Sequence, residues 1–152
     1  MDRGLILRRA EETLAACNRG DPEGVVAYVV EDVIWHDVAL PMPLHGREAL
    51  KQAIHGYMSA LPDLHIQTTS VTFQAPRLAQ EWTATGTHRG ALMGIAPTGR
   101  AIETYGATVI TVDDEGLVIE GATYWNVLAL MHQLGLLTEP NAADTTAGHS
   151  AA

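Results

Sequence analysis

The strongest constraint in this chain is a change of period at Leu61-Pro62-Asp63. Before it, apolar residues recur every three or four positions, the spacing of one helix face. After it they alternate, the spacing of a half-buried strand. Asp2 can cap a first helix to about Asn18, with Leu5, Ile6, Arg9, Ala10, Thr13, Leu14 and Cys17 on one stripe. Gly20, Asp21 and Pro22 then read as a left-handed stop, a new N-cap and a first helical position. A short helix to about Val30 follows, and a third is predicted over about Arg47 to Ala60, burying Leu50, Ile54, Tyr57 and Met58. From Leu64 the pattern predicts strands at about 64–75, 77–88, 101–112 and 117–126. Pro76, the Gly-rich segment from Gly86 to Arg100, and the turn Asp113 to Gly116 separate them. Val127 to Leu137 reads as a strand tail or a short helix covering one end. Helices first and a meander of long strands after predict an α+β domain over residues 1–137, with a curved antiparallel sheet wrapped by the early helices. Such a sheet encloses a cone with an internal pocket. Residues 138–152 are small and polar and are expected to be a disordered tail.

One short stretch stands out inside this frame. Val33 to Pro41 begins as a strand, with β-branched and aromatic residues, and ends at prolines 41 and 43. Its acid, Asp37, sits among apolar neighbours, where a carboxylate is rarely placed unless it is paired or used. Strand alternation puts Trp35 on the same face as Asp37 and turns His36 away.

Composition narrows the partners. At 152 residues the chain can bury about 70% of its unfolded surface, enough for a core and a pocket. The net charge of −9 argues against nucleic acid and against an anionic membrane surface. No apolar run is long enough for a membrane helix. Met1 to Gly4 leads straight into a helical pattern, so no secretory leader is expected. The single cysteine, Cys17, excludes an internal disulfide and fits a cytoplasmic setting. The seven histidines show no metal-ligand spacing, and there is no phosphate loop, dinucleotide fingerprint or nucleophile elbow. No metal and no cofactor are expected, and a small hydrophobic molecule is the partner left.

The segment 81–100 carries Gly86-Thr87-His88, Met93-Gly94 and Pro97-Thr98-Gly99-Arg100. Tyr124-Trp125-Asn126 and Gln133-Leu134-Gly135 follow. Together with residues 9–60, these resemble the SnoaL-like polyketide cyclases of the nuclear transport factor 2-like (cystatin-like) superfamily, which also holds ketosteroid isomerase and limonene epoxide hydrolase. The resemblance implies the cone fold and a carbonyl substrate, polyketide-like or steroid-like. From Asn18 to Asp37 the chain matches the ketosteroid isomerases without a gap, and Asp37 falls on their catalytic base, where the cyclases place Asn. The isomerases' oxyanion-donating Asp falls on Thr108, their oxyanion Tyr near Thr13, and a pocket Trp on Trp125. The cyclases' acid/base Asp falls on Thr123. The base position is kept and the usual second acid is replaced.

Isomerisation and aldol cyclisation both begin by removing a proton next to a carbonyl, which needs a base and a donor to the enolate oxygen. A carboxylate of pKa about 3.9 is a weak base in water, and apolar surroundings strengthen it. Asp37 is therefore the expected base and Thr108 and Thr123 the expected donors. Trp35, Tyr57, Met58, His88 and Trp125 are the expected substrate contacts, His88 being read alternatively as a holder of the Gly86–Arg100 loop, with Met42, Met93 and Met131 as further adaptable lining. The isomerase or cyclase reading competes with a non-catalytic binding or accessory protein, and with an epoxide-opening hydrolase or dehydratase. A homodimer is expected through the sheet face left uncovered.

Overall fold

A computed structural model describes residues 1–137. The expected tail, 138–152, lies outside the described residues. The chain runs α1 (Arg3–Asn18), α2 (Pro22–Val25), β1 (Val29–Asp37), β2 (Leu44–His45), α3 (Arg47–Ala60), β3 (His65–Gln74), β4 (Arg77–Thr87), β5 (Ala101–Val112), β6 (Val118–Trp125) and α4 (Val127–Gln133). The six strands form one sheet in the order β2-β1-β6-β5-β4-β3. β3 to β6 make the expected antiparallel meander. β1 joins it alongside β6 in parallel, a pairing between distant segments that local sequence does not announce.

The punctuation works as read. Asp2 Oδ1 accepts the N–H groups of Gly4 and Leu5 at 2.8 and 3.2 Å, and Asp21 Oδ1 accepts that of Gly24 at 3.0 Å. Asp113 Oδ1 takes the N–H groups of Glu115 and Leu117, each at 2.9 Å, and Gly116 closes the hairpin at φ 76°. α2 is shorter than expected, a single turn to Val25, and β1 starts at Val29 rather than Val33. The reason is tertiary: Val26, Val29 and Val33 pack with Leu50 into one cluster, and Val29 pairs with Val118.

Two side-chain amides clasp strands. Asn18, at the end of α1, bonds both the N–H and the C=O of Ile66 at 2.7 and 2.8 Å. Gln133, in α4, does the same to Glu103 at 2.7 Å each, on the half of β5 that β6 does not reach. Leu130 and Leu134, which flank that clasp, bury against Leu61, Leu92 and Ile102. Full burial of one such leucine contributes about 1.5–3 kcal/mol. Arg100 donates to the Gln133 carbonyl at 3.2 Å. A third cluster joins Ile6, Leu78 and Val112. The three clusters stand around the concave face of the sheet and leave its middle open.

Candidate active site

That opening is a cavity of ≈ 300 Å³ between the sheet, α1 and α3. α1 presents Ile6, Arg9, Ala10, Thr13, Leu14 and Cys17 to it, the stripe read from the sequence less Leu5. Cys17 therefore faces the cavity, and burial pushes its thiol above its ordinary range. α3 presents Leu50, Ile54, Tyr57 and Met58. Among the described residues Asp37 is the only carboxylate on the wall and Arg9 the only cation. Arg9 is turned to structure: its guanidinium donates to the carbonyls of Glu115 and Gly116 at 2.7 and 2.9 Å and stacks on Tyr28.

Asp37 sits at the last position of β1 with its carboxylate on the inner face. Oδ1 accepts the Ala39 N–H and the Trp125 Nε1–H, each at 2.9 Å. Oδ2 accepts the Tyr57 hydroxyl at 2.9 Å. No Lys or Arg among the described residues forms an ion pair with it. Tyr57 and Trp125 meet edge to face with ring centroids 6.3 Å apart, so the two donors also brace each other. Burial pushes the Tyr57 phenol well above its ordinary value, and the negative charge of Asp37 pushes it further. Tyr57 thus stays a proton donor across the physiological range.

Thr123 is the register partner of Asp37 on β6, and Thr108 is the partner of Thr123 on β5. Each threonine oxygen receives an indole N–H: Trp35 Nε1 donates to Thr123 Oγ1 at 3.2 Å, and Trp82 Nε1 to Thr108 Oγ1 at 3.0 Å. Neither hydroxyl donates to another protein group among the described residues, so each keeps its proton for a ligand. Accepting a hydrogen bond also polarises a hydroxyl and strengthens it as a donor. Two glycines make room for these rings. A Cβ at Gly106 would stand 2.7 Å from the Trp82 ring and 2.8 Å from the Trp125 Cβ, and one at Gly121 would enter the Trp35 ring.

The cavity gathers seven of the eight residues expected to act on substrate: Asp37, Thr108, Thr123, Trp35, Tyr57, Met58 and Trp125. His88 is not on the wall. It is fully buried; its Nδ1 accepts the Thr98 N–H at 3.2 Å and lies 3.0 Å from the Thr98 hydroxyl. Its main chain bonds Arg100 and Gly99. His88 thus holds the 88–100 loop closed on itself. Met42 and Met93 are exposed, and Met131 packs against the α4 cluster, so Met58 alone of these lines the cavity. Sequence reasoning did not place Gln80 or Trp82 on the wall. Both share inward parity with Leu78 and Ala84, and that alternation was the available signal. His36 points outward, 3.9 Å from Glu120. Among the described residues no three His, Cys, Asp or Glu side chains gather as a metal site, and no helix is long and apolar enough to cross a membrane.

Similar architectures are known. The chain superposes with a TM-score of 0.82 on AclR, a proposed hydroxylase from Streptomyces galilaeus, at 24% identity over 97% of this chain and 96% of that one. IdmH, a proposed polyketide cyclase from Streptomyces antibioticus, gives 0.72 at 24% identity, covering 86% and 98%. A protein from Catenulispora acidiphila with a ketosteroid isomerase-like fold, solved with trimethylamine, gives 0.71 at 17% identity, covering 87% and 97%. The fold is thus nuclear transport factor 2-like, of the ketosteroid isomerase kind. Among curated proteins no sequence matches the chain. The profile of the SnoaL-like polyketide cyclases, by contrast, matches residues 6–134, so the chain belongs to the SnoaL-like polyketide cyclase family.

Proposed function

We propose that this protein is a cofactor-independent isomerase or cyclase that removes a proton beside the carbonyl of a hydrophobic small molecule, polyketide-like or steroid-like. The observation that carries this reading is Asp37, among the described residues the single carboxylate on a largely apolar wall and without an ion-pair partner, with the Thr123 hydroxyl beside it in register and that of Thr108 one strand further. Asp37 takes the proton on Oδ2, and the C–H electron pair becomes the enolate. Thr108 and Thr123 donate to the oxygen as its charge develops. In an isomerase the new carboxylic acid returns the proton to another carbon of the enolate. In a cyclase the enolate carbon attacks a second carbonyl of the same molecule, and the resulting alkoxide takes back the proton held by the Asp37 carboxylic acid. The family, and a proposed polyketide cyclase among similar structures, support this class.

A second reading draws on a specific observation: three protein donors already satisfy Asp37, as they would in a carrier or accessory protein. Epoxide opening is disfavoured, because the wall offers no second carboxylate among the described residues. A homodimer belongs to the same proposal. Tyr105 and Tyr124 stand 63% and 54% exposed on the outer sheet face, where a second copy would cover them. A cytoplasmic site of action fits a reduced Cys17. The deciding experiment is proton exchange on hydrophobic ketones in D₂O, followed by NMR. Catalysed exchange next to the carbonyl supports the enolising enzyme, whereas saturable binding without exchange supports the carrier.

A further inference from the structure

The row of polar side chains does not stop at Thr108. Thr108 is the register partner of Gln80 on β4, so Asp37, Thr123, Thr108 and Gln80 cross four neighbouring strands in one line. All four line the cavity. Neighbouring strands lie about 4.8 Å apart, which sets the step along this row.

Donor and acceptor roles along the row follow from the hydrogen bonds each group makes. Gln80 Nε2 donates to Thr68 Oγ1, and Gln80 Oε1 has no protein partner among the described residues. Thr108 and Thr123 each accept an indole N–H and keep a proton to give. From Gln80 to Asp37 the row therefore reads acceptor, donor, donor, acceptor.

We propose that Gln80 is a specificity-determining residue that accepts a hydrogen bond from a substrate hydroxyl one strand spacing away from the oxygen held by Thr108. Meta-related oxygens on a six-membered ring are separated by a matching distance, about the step between strands. The substrate class is then a resorcinol-type ring or its keto tautomer, lying across the strands with its oxygenated edge toward the sheet. A ring without that hydroxyl removes water from Gln80 Oε1 and returns no partner, which costs affinity. This inference rests on the carbonyl-substrate reading of the cavity but does not require Asp37 to be a base.

The test uses three matched probes, 5-pentylresorcinol, 3-pentylphenol and 1,3-dimethoxy-5-pentylbenzene, titrated calorimetrically into the full chain. The wild type is expected to bind the resorcinol about 3- to 10-fold more tightly than the phenol, the range of one neutral hydrogen bond. The methoxy compound, which can only accept, is expected to do no better than the phenol. Gln80→Leu should remove most of the preference for the resorcinol. Thr68→Val, which frees the Gln80 amide to turn, should narrow the gap between hydroxyl and methoxy. Equal wild-type affinity for the three probes, tighter binding of the methoxy compound, or a preference untouched by Gln80→Leu would each overturn the proposal. If Gln80→Leu fails to fold, judged by circular dichroism, the wild-type comparison with Thr68→Val decides. Asp37→Asn separates the two readings. Exchange lost with the preference kept supports both, and exchange intact in that variant removes the base while leaving Gln80 standing.

Discussion

Replacing Asp37 by Asn tests the catalytic reading with little disturbance to the fold. The amide is nearly isosteric with the carboxylate. Its oxygen still accepts from Ala39 and Trp125, the two contacts made at 2.9 Å by Oδ1. Its nitrogen meets the Tyr57 hydroxyl, which can turn from donor to acceptor, so that contact reverses rather than disappears. Stability should therefore change by about 1 kcal/mol or less, the worth of one neutral hydrogen bond. The chemistry should change far more, because an amide cannot take the proton. General base catalysis is worth about 10²- to 10⁴-fold in rate, or about 2.7–5.4 kcal/mol of barrier at 1.36 kcal/mol per tenfold. The assay is the exchange of the protons next to the carbonyl of 2-tetralone in D₂O, read by NMR, with urea unfolding of both proteins alongside. Exchange at the wild-type rate in a folded Asp37→Asn protein would refute Asp37 as the base.

Three other expectations follow from the same geometry. The Tyr57 phenol is raised above its ordinary value of 10.0 in the folded state, so the folded chain holds that proton more tightly than the unfolded one. Its contribution to stability is then complete below about pH 10 and is lost as pH rises through the folded pKa; Tyr57→Phe should lessen the alkaline decline, and identical denaturation profiles between pH 8 and pH 11 would contradict the assignment. Gly121→Ala puts a methyl group into the Trp35 ring and should cost about 1–3 kcal/mol in urea unfolding, with a changed near-ultraviolet tryptophan signal; a neutral result would mean that Trp35 does not lie on β6. Sedimentation at micromolar concentration should show a dimer that Tyr105→Glu converts to a folded monomer, and a monomeric wild type would remove that claim.

The elements were largely legible because their signals are local. The period switch at Leu61, the cap at Asp2 and the turn at Asp113 each act within a few residues. Alternation placed Trp35 with Asp37, whereas Thr108, Thr123 and Trp125 were reached through the family resemblance. The partners of Asp37 were not legible, since Tyr57 is 20 residues away and Trp125 is 88. Tyr57 read as helix packing and as a substrate contact, and its hydrogen bond to Asp37 was not foreseen. Val29 joined the sheet instead of α2 because Val118 and Leu50 capture it, a preference that propensity over a few residues does not contain. His88 had two readings, substrate contact and holder of its own loop, and its contacts with Thr98, Gly99 and Arg100 fit the second. Trp82 acquires a role only through its indole on Thr108, a contact between strands that local sequence does not announce.

The four polar groups of the cross-strand row owe their spacing to hydrogen bonds between backbones, not to loops. Sheet geometry behaves here like a ruler whose divisions no side-chain substitution can stretch. Sliding a strand by one division would carry its whole inner set to the outside. The helices and the rest of the lining face no such restriction, so a lineage can resize the chamber for a new molecule while the distance from carboxylate to hydroxyls stays constant.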